Sequence, residues 1–335
     1  MNKLFITLLL LVGCSSNPIV DNTEQTTQWV FVANEGNFGA SNGSISMINN
    51  NGDVLMVDEI GDVVQSLEVY QDKLIVVVNN SHMIKVYDIT EDGLSLPGIE
   101  ISTDNSSPRE LVVVDNKVYF TNWNTKDVKV LNLFNYNIER SISVGGLPES
   151  IVSDGSYLWV GIMMNEDYSS ASSVVKIDMN TNSAVETYEV GLGPTSLVID
   201  KNEVYVARTF YDENWIPFYG SSKITSSEVV MKNYGIGIAC GGSVMKHNNE
   251  VYRSFDGGIA TLDFDLGINV ASKIGSYDQS QVYSTEVIGD YIYFGITDYT
   301  TMNEVKVLDF DGNEMVSYDV GLLPGDFSVW RNNND

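Results

Sequence analysis

The feature that most constrains the fold of this sequence is an internal repeat of about 40–46 residues. Its clearest copy begins at Pro108 with an apolar run, followed by an aromatic-rich segment at 118–122, an alternating segment at 127–132 and a polar segment at 138–145. Each copy reads as four short strands joined by turns. Further copies begin near Val64, Pro148, Pro194, Cys240, Tyr283 and Pro324. Four strands at this period predict the blades of a β-propeller.

The two ends of the repeat array complement each other. The last copy holds only residues 324–330, whereas strand-like segments at 29–33, 44–49 and 54–58 precede the first anchor. The C-terminal strand is therefore expected to be the innermost strand of the N-terminal blade, which closes the ring and removes its open edges. We predict an all-β, seven-bladed β-propeller of four-stranded blades over residues 29–335. An open sandwich or a solenoid is the alternative, but a solenoid needs capping repeats.

The N-terminus has the features of a bacterial lipoprotein signal. Lys3 precedes an apolar run that is too short to span a bilayer, and Leu11-Val12-Gly13-Cys14 matches a lipobox. We predict a signal peptide over 1–13 and a lipidated Cys14 that begins a flexible tether over 14–28. An ordinary signal peptide with a chance cysteine, or a short buried helix, is the alternative.

Charge and cysteine content narrow the possible partners. The net charge of −27 argues against nucleic acid and anionic lipid surfaces. With Cys14 lipidated, Cys240 has no cysteine partner and is expected to be a small buried thiol. His82 and His247 are the only histidines and no catalytic or metal motif surrounds them. We therefore expect no catalytic residues, no metal and no cofactor.

The loops between the second and third strands of the blades are the expected binding face. Each contains asparagine or aromatic residues, and turn chemistry explains the asparagines but not exposed aromatic rings. Rings and amides together suit a large, partly flat, polar ligand, although some rings could instead fill gaps between blades. The candidate residues are Asn34, Asn37, Phe38, Asn80, His82, Asn122, Trp123, Asn165, Tyr168, Phe210, Tyr211, Trp215, Phe255 and Tyr299.

Two arginines and one long loop complete the candidate site. Arg109 and Arg208 could each meet a ligand carboxylate or phosphate, or could simply pair with a nearby acid. The segment 209–219 is longer than its counterparts and rich in aromatic residues, which predicts a wall or lid beside the ligand.

Several segments resemble a known group of propellers. Residues 143–148, 189–194 and 319–324 resemble the blade junctions of YVTN/YncE-like propellers, and Val118–Asn122 is similar to their YVTN strand. The run 30–39, with 42–46, resembles the opening of DUF5074-type lipoproteins of Bacteroidota, a group that includes BtuG-like cobalamin-binding surface proteins.

That resemblance implies a function and a location. It implies a non-enzymatic, lipid-anchored protein that captures a small molecule, such as cobalamin (vitamin B12), in support of a TonB-dependent outer-membrane transporter. The chain would otherwise be a monomer on the bacterial outer membrane. Its leaflet, periplasmic or cell-surface, stays open because Ser15–Pro18 rather than acidic residues follow Cys14. The alternatives are a scaffold or adhesion propeller that binds a protein or polymer, and a propeller enzyme such as a lyase or quinoprotein-like oxidoreductase.

Overall fold

The computed structural model describes residues 28–237 and 242–332, and these form 28 strands arranged in seven sheets. One 3-10 turn, Val270–Ser272, is the helical segment among them. No helix in the described ranges is long and apolar enough to cross a membrane. The predicted signal peptide, Cys14 and Cys240 lie outside the described residues.

The first three blades follow one another along the chain, and the innermost strand is given first for each. Blade one contains β28 (Pro324–Arg331), β1 (Gln28–Asn34), β2 (Gly43–Asn49) and β3 (Val54–Gly61). Blade two contains β4 (Val64–Tyr70), β5 (Lys73–Val78), β6 (Met83–Thr90) and β8 (Ile99–Ser102), with the short β7 (Gly93–Leu94) beside β6. Blade three contains β9 (Pro108–Val114), β10 (Lys117–Asn122), β11 (Asp127–Asn132) and β12 (Asn137–Ser143).

The remaining four blades repeat the pattern. Blade four contains β13 (Leu147–Ser153), β14 (Tyr157–Met164), β15 (Ser170–Asp178) and β16 (Ser183–Glu189). Blade five contains β17 (Pro194–Asp200), β18 (Glu203–Tyr211), β19 (Pro217–Ile224) and β20 (Val229–Ile236). Blade six contains β21 (Val244–His247), β22 (Glu250–Phe255) and β23 (Gly258–Thr261). Blade seven contains β24 (Val282–Ile288), β25 (Tyr291–Thr297), β26 (Asn303–Asp309) and β27 (Glu314–Asp319).

The ring is closed as the repeat array predicts. β28 pairs antiparallel with β1, from Gln28 opposite Arg331 to Asn34 opposite Pro324. The seven-bladed all-β propeller and its terminal closure are confirmed. Proline can begin an inner strand because that strand is the edge of its sheet and needs no ladder hydrogen bond on its free side.

The hydrophobic core lies between neighbouring blades, as β5 illustrates. Leu74 and Val76 pack into the cluster shared with blade one, whereas Ile75 and Val77 pack into the cluster shared with blade three. Both faces of such a strand are buried, which explains why the second strands read as continuous apolar runs rather than as alternating ones.

Blade six departs from the four-stranded pattern. Its sheet has three strands, and the place of the fourth is taken by two isolated bridges, one between Ile259 and Ile274 and one between Leu262 and Ile268. A tight turn at 263–267 and the 3-10 turn occupy the chain between them. Ser272 Oγ accepts the backbone N–H of Thr261 at 3.0 Å, a bond that a ladder would otherwise supply. A side chain and a turn therefore replace the fourth strand.

Candidate functional site

The loops between the second and third strands lie on the same face as the junctions that connect one blade to the next. Backbone hydrogen bonds join the two sets, for example from Trp123 N–H to Ser107 O and from Thr209 N–H to Gly193 O. We call this side of the ring the loop face. Every predicted loop residue therefore sits at or just below one surface, which also holds one end of the central channel.

Four aromatic side chains on the loop face project into solvent, and we call them the aromatic rim. They come from four different blades and have exposed fractions of 79%, 68%, 79% and 45%. In that order, the rim is formed by Phe38, Tyr168, Trp215 and Tyr299. Trp123 and Phe255, also predicted, are half-buried beside it, and the amides of Asn37 and Asn165 are exposed. The predicted surface of rings and amides is thus present on this face.

The backbone of two rim residues is unusual. Tyr168 and Trp215 have φ angles of 65° and 61°, in the left-handed region that costs a non-glycine residue free energy. Each is the fourth residue of a five-residue turn that has two backbone hydrogen bonds. The N–H of residue one donates to the carbonyl of residue five, and the N–H of residue four donates to the carbonyl of residue one. Turns of the same geometry on the opposite face carry Gly52 and Gly312 at this position, with φ of 82° and 86°.

Packing does not account for these two aromatic residues either. A further turn of this type carries Leu266, which is completely buried, so hydrophobic contact explains the side chain there. Tyr168 and Trp215 are exposed, and glycine would serve the turn better. Strained, exposed aromatic residues of this kind are typical of binding surfaces.

The segment 209–219 is a hairpin rather than an irregular loop. β18 and β19 extend to Tyr211 and Pro217 and leave a five-residue turn between them. Phe210 and Phe218 stack at 5.8 Å across the two strands, and Trp215 lies 6.1 Å from Tyr211. This hairpin forms an aromatic projection beside the loop face.

At the channel mouth, Arg109 is held by three neighbours. Its Nε and Nη2 donate to the two carboxylate oxygens of Glu149 at 3.0 and 2.6 Å, and Nη1 donates to Gln65 Oε1 at 2.6 Å. The guanidinium lies 4.5 Å above the ring of Trp123, whose indole Nε1 is buried and has no partner. Arg109 is therefore paired within the protein, and its hydrogen bonds hold the side chains at the channel mouth in place.

Below the mouth, the channel is acidic. A cavity of about 420 Å³ is lined by inner-strand residues of most blades. The carboxylates in and around it were not recognised from the sequence, and we call them the channel carboxylates. They are Glu35, Glu68, Glu110, Glu286 and Asp326.

Two channel carboxylates also join adjacent blades. Glu68 accepts a hydrogen bond from the N–H of Val113 at 2.9 Å, and Asp326 accepts one from the N–H of Leu67 at 2.8 Å. Each carboxyl group therefore supplies an acceptor to a backbone N–H on the unpaired edge of the next inner strand. The side chain of Glu35 reaches over Gly325, where a Cβ would lie 2.9 Å from its Oε1. All channel carboxylates except Glu35 lie on inner strands, and position along that strand is the signal that could have identified them.

Burial raises the pKa values of the channel carboxylates. It raises the pKa of Glu68 to about 8, against the lowering effect of the bond from Val113, and that of Asp326 to about 6. Burial and the neighbouring acids together raise the pKa values of Glu110 and Glu286. Such groups prefer the protonated form in the folded chain.

The raised pKa of Glu68 predicts a pH-dependent stability. Below pH ~4.5 the group is protonated in both the folded and unfolded chain, so it adds no penalty. Between pH ~4.5 and ~8 the unfolded chain releases this proton and the folded chain keeps it, which lowers stability by up to about 1.4 kcal/mol per pH unit. Glu68→Gln is therefore expected to raise the free energy of unfolding at pH 8 and to leave it nearly unchanged at pH 4.

Urea unfolding of both chains across this pH range measures the difference. Glu213→Gln, which removes a solvent-exposed carboxylate, is the control and should show no comparable trend. A pH-independent difference between Glu68→Gln and the unmodified chain would contradict the assignment.

Three predicted residues lie beneath the loop surface. Asn34 and Asn122 are completely buried: Asn34 Nδ2 donates to Ser44 and Ser46, and Asn122 bonds Ser106 and the backbone of its own strand. Turn chemistry suggested exposed amides at these positions, whereas both amides hold neighbouring strands together. Arg208 is also buried, with an exposed fraction of 2%.

The other predicted polar residues have structural partners. Asn80 Nδ2 donates to Asp62 at 2.6 Å, and Asp62 also accepts the N–H of Gly39, next to Phe38. His82 Nδ1 accepts the N–H of Ser107 at 3.2 Å. His247 belongs to blade six and stacks on Phe310 at 3.6 Å, so the structure does not bring the two histidines together. No group of three or more potential metal ligands occurs within 28–237 and 242–332.

Comparisons with known proteins support the architecture. No protein-family model matches the chain, and no curated protein matches it. Among solved structures, a Kuenenia stuttgartiensis hydrazine synthase chain is 15% identical with a TM-score of 0.59, covering 81% of this chain and 96% of its own. The computationally designed Ika8 protein is 16% identical, with a TM-score of 0.59 and coverage of 90% and 93%.

A structure of Citrobacter koseri AztD is also similar. It is 12% identical with a TM-score of 0.54, covering 92% of this chain and 99% of its own. At such identities these likenesses show the fold alone. The chain is a seven-bladed β-propeller whose loop face presents exposed aromatic residues around an acidic channel.

Proposed function

We propose that this propeller is a non-enzymatic ligand-capture protein that binds a large, partly flat, polar small molecule on its loop face. The observation that carries the proposal is the pair Tyr168 and Trp215, exposed aromatic residues at turn positions where the same chain elsewhere uses glycine. Neither the turn nor the core requires these rings, and stacking on a flat ligand supplies a reason for them.

The charge of the channel mouth favours a ligand that donates hydrogen bonds. The channel carboxyl groups offer acceptor oxygens to a ligand, and Arg109, the cation that the described residues place at the mouth, is already paired with Glu149. The cavity of about 420 Å³ admits side groups of a large ligand but not its whole body. Such a ligand would lie across the aromatic rim with polar substituents directed into the mouth.

A corrinoid such as cobalamin is the specific ligand that we propose. Its flat macrocycle presents an apolar surface to aromatic rings, and its amide side chains donate to carboxylates. The resemblance of 30–39 and 42–46 to DUF5074-type lipoproteins, a group that includes cobalamin-binding proteins, supports the same choice. A lipid anchor at Cys14, an outer-membrane location and a TonB-dependent transporter partner belong to this proposal and rest on the lipobox and that resemblance.

Isothermal titration with cyanocobalamin tests the corrinoid assignment. We expect saturable binding at micromolar ligand, because a rim of several rings and a polar mouth supports affinities of this order. The control is Phe134→Ala, which removes an equally exposed ring from the opposite face and should bind as the unmodified chain does. Absence of heat and of a thermal shift would reject the corrinoid assignment.

A further inference from the structure

We propose that blade five carries a second binding site, separate from the channel, for a small carboxylate with an apolar body, and that Arg208 binds its charge. The site is a cavity of about 250 Å³ between the junction that precedes β17 and the sheet of blade five. Its lining residues are Gly191, Leu192, Arg208, Phe210, Met231 and Asn233.

The hydrogen bonds of a single nitrogen orient the guanidinium of Arg208. Nη2 donates to Asn233 Oδ1 at 2.6 Å and to the carbonyl of Lys232 at 3.0 Å. Nε is buried with no partner, and no described residue accepts a hydrogen bond from Nη1. A fixed guanidinium with unused donors is a ready site for an anion.

Two glycines make room for this guanidinium. A Cβ on Gly191 would lie 2.7 Å from Nη1, and a Cβ on Gly220 would lie 2.6 Å from Nη2. Gly191 has a φ of 82° and is needed for its turn in any case, whereas Gly220 has no such backbone requirement. A Cβ at Gly220 would also lie 2.5 Å from the backbone oxygen of Lys232, so the absence of a side chain there makes room both for the guanidinium and for the neighbouring strand.

The charge of Arg208 is not balanced by the protein. Among the described residues no carboxylate forms an ion pair with it, although the chain contains 45 acidic residues and only 18 Lys and Arg. Arg109, by contrast, has Glu149 as a bidentate partner. Burial lowers the pKa of Arg208, yet an arginine stays charged. A buried, unpaired cation is costly, and a bound anion removes that cost.

The walls of the cavity identify the class of anion. One guanidinium matches one negative charge, which suits a carboxylate better than a doubly charged phosphate. Phe210, Leu192 and Met231 supply apolar contacts, and the ring of Phe210 lies 5.7 Å from the guanidinium carbon of Arg208. The cavity volume limits the ligand to a small molecule of about the size of benzoate.

Titration with para-fluorobenzoate, followed by fluorine NMR, tests the proposal. We expect saturable binding to the unmodified chain, weaker binding of inorganic phosphate in competition, and none of neutral para-fluorobenzamide. Arg208→Gln should abolish benzoate binding.

A pair of charge changes at Met231 keeps the test independent of folding. Met231 is half exposed, so both variants should fold. Met231→Lys should tighten para-fluorobenzoate about tenfold and Met231→Glu should weaken it about tenfold, since each moves one charge to the cavity wall. Met315→Lys, a matched change at an exposed methionine of blade seven, should leave the affinity unchanged. Equal affinities in the Met231 pair, or no saturable binding at all, would overturn the proposal.

Discussion

Removal of residues 324–335 is expected to abolish folding of the whole ring. β28 supplies the innermost strand of blade one, and the side chains of Phe327 and Trp330 are 3% and 4% exposed. Losing such a side chain costs about 3–5 kcal/mol, so two of them approach the total stability of about 5–15 kcal/mol that is typical of proteins.

The truncation also leaves polar groups without partners. Leu67 N–H loses Asp326, Val69 N–H loses the hydroxyl of Ser328, and the edge of β1 that pairs with β28 becomes open. Open strand edges invite aggregation. We expect the truncated chain to be insoluble or to lose cooperative thermal unfolding, as measured by circular dichroism.

Strand complementation provides the control for this truncation. A synthetic peptide of residues 322–332, added during refolding, should restore a cooperative transition, because it replaces the same hydrogen bonds and rings. A scrambled peptide should not. A truncated chain that unfolds cooperatively at the original temperature without any peptide would show that the closure contributes little.

Tyr168→Gly together with Trp215→Gly is expected to separate stability from binding. Each glycine relieves a left-handed backbone at 65° or 61° and removes no buried contact surface of the core. The left-handed conformation costs a non-glycine residue about 1–2 kcal/mol, and the added freedom of glycine in the unfolded chain offsets part of that gain. The double variant should therefore be more stable by about 1 kcal/mol in urea unfolding.

The same double variant should lose ligand. Two stacking rings at roughly 1–1.5 kcal/mol each correspond to a loss of affinity of about 100-fold. Gly312→Trp is the mirror-image control on the opposite face: it places a ring at the same turn position, should lower stability by about 1 kcal/mol and should leave ligand binding unchanged. Lower stability in the double variant would mean that the rings serve packing.

The ring could be predicted from the sequence because each repeat carries residues with strong local preferences, such as prolines at strand starts and continuous apolar runs. Val64, Pro108, Pro194 and Pro324, read as anchors, are the first residues of the inner strands β4, β9, β17 and β28. Continuous apolar runs such as 74–78 marked strands buried on both faces. The terminal closure followed from two incomplete repeats that complete one blade.

Other features depend on contacts between distant parts of the chain. Asn34 and Asn122 look like turn residues, yet their amides bond to neighbouring strands. All channel carboxylates except Glu35 follow a repeat anchor at short spacing, but local sequence does not show which inner-strand side chains meet across the ring. In blade six, a turn and the hydroxyl of Ser272 take the place of the expected fourth strand. The spacing of the repeats does not reveal this difference.

Native mass spectrometry of the full-length protein, purified without denaturation from cells that supply the ligand, tests the capture function most directly. We expect a noncovalent small-molecule adduct on the unmodified chain, retained in Phe134→Ala and lost in the Tyr168→Gly, Trp215→Gly double variant. An adduct of equal occupancy on all three chains, or none on the unmodified chain, would contradict ligand capture at the aromatic rim.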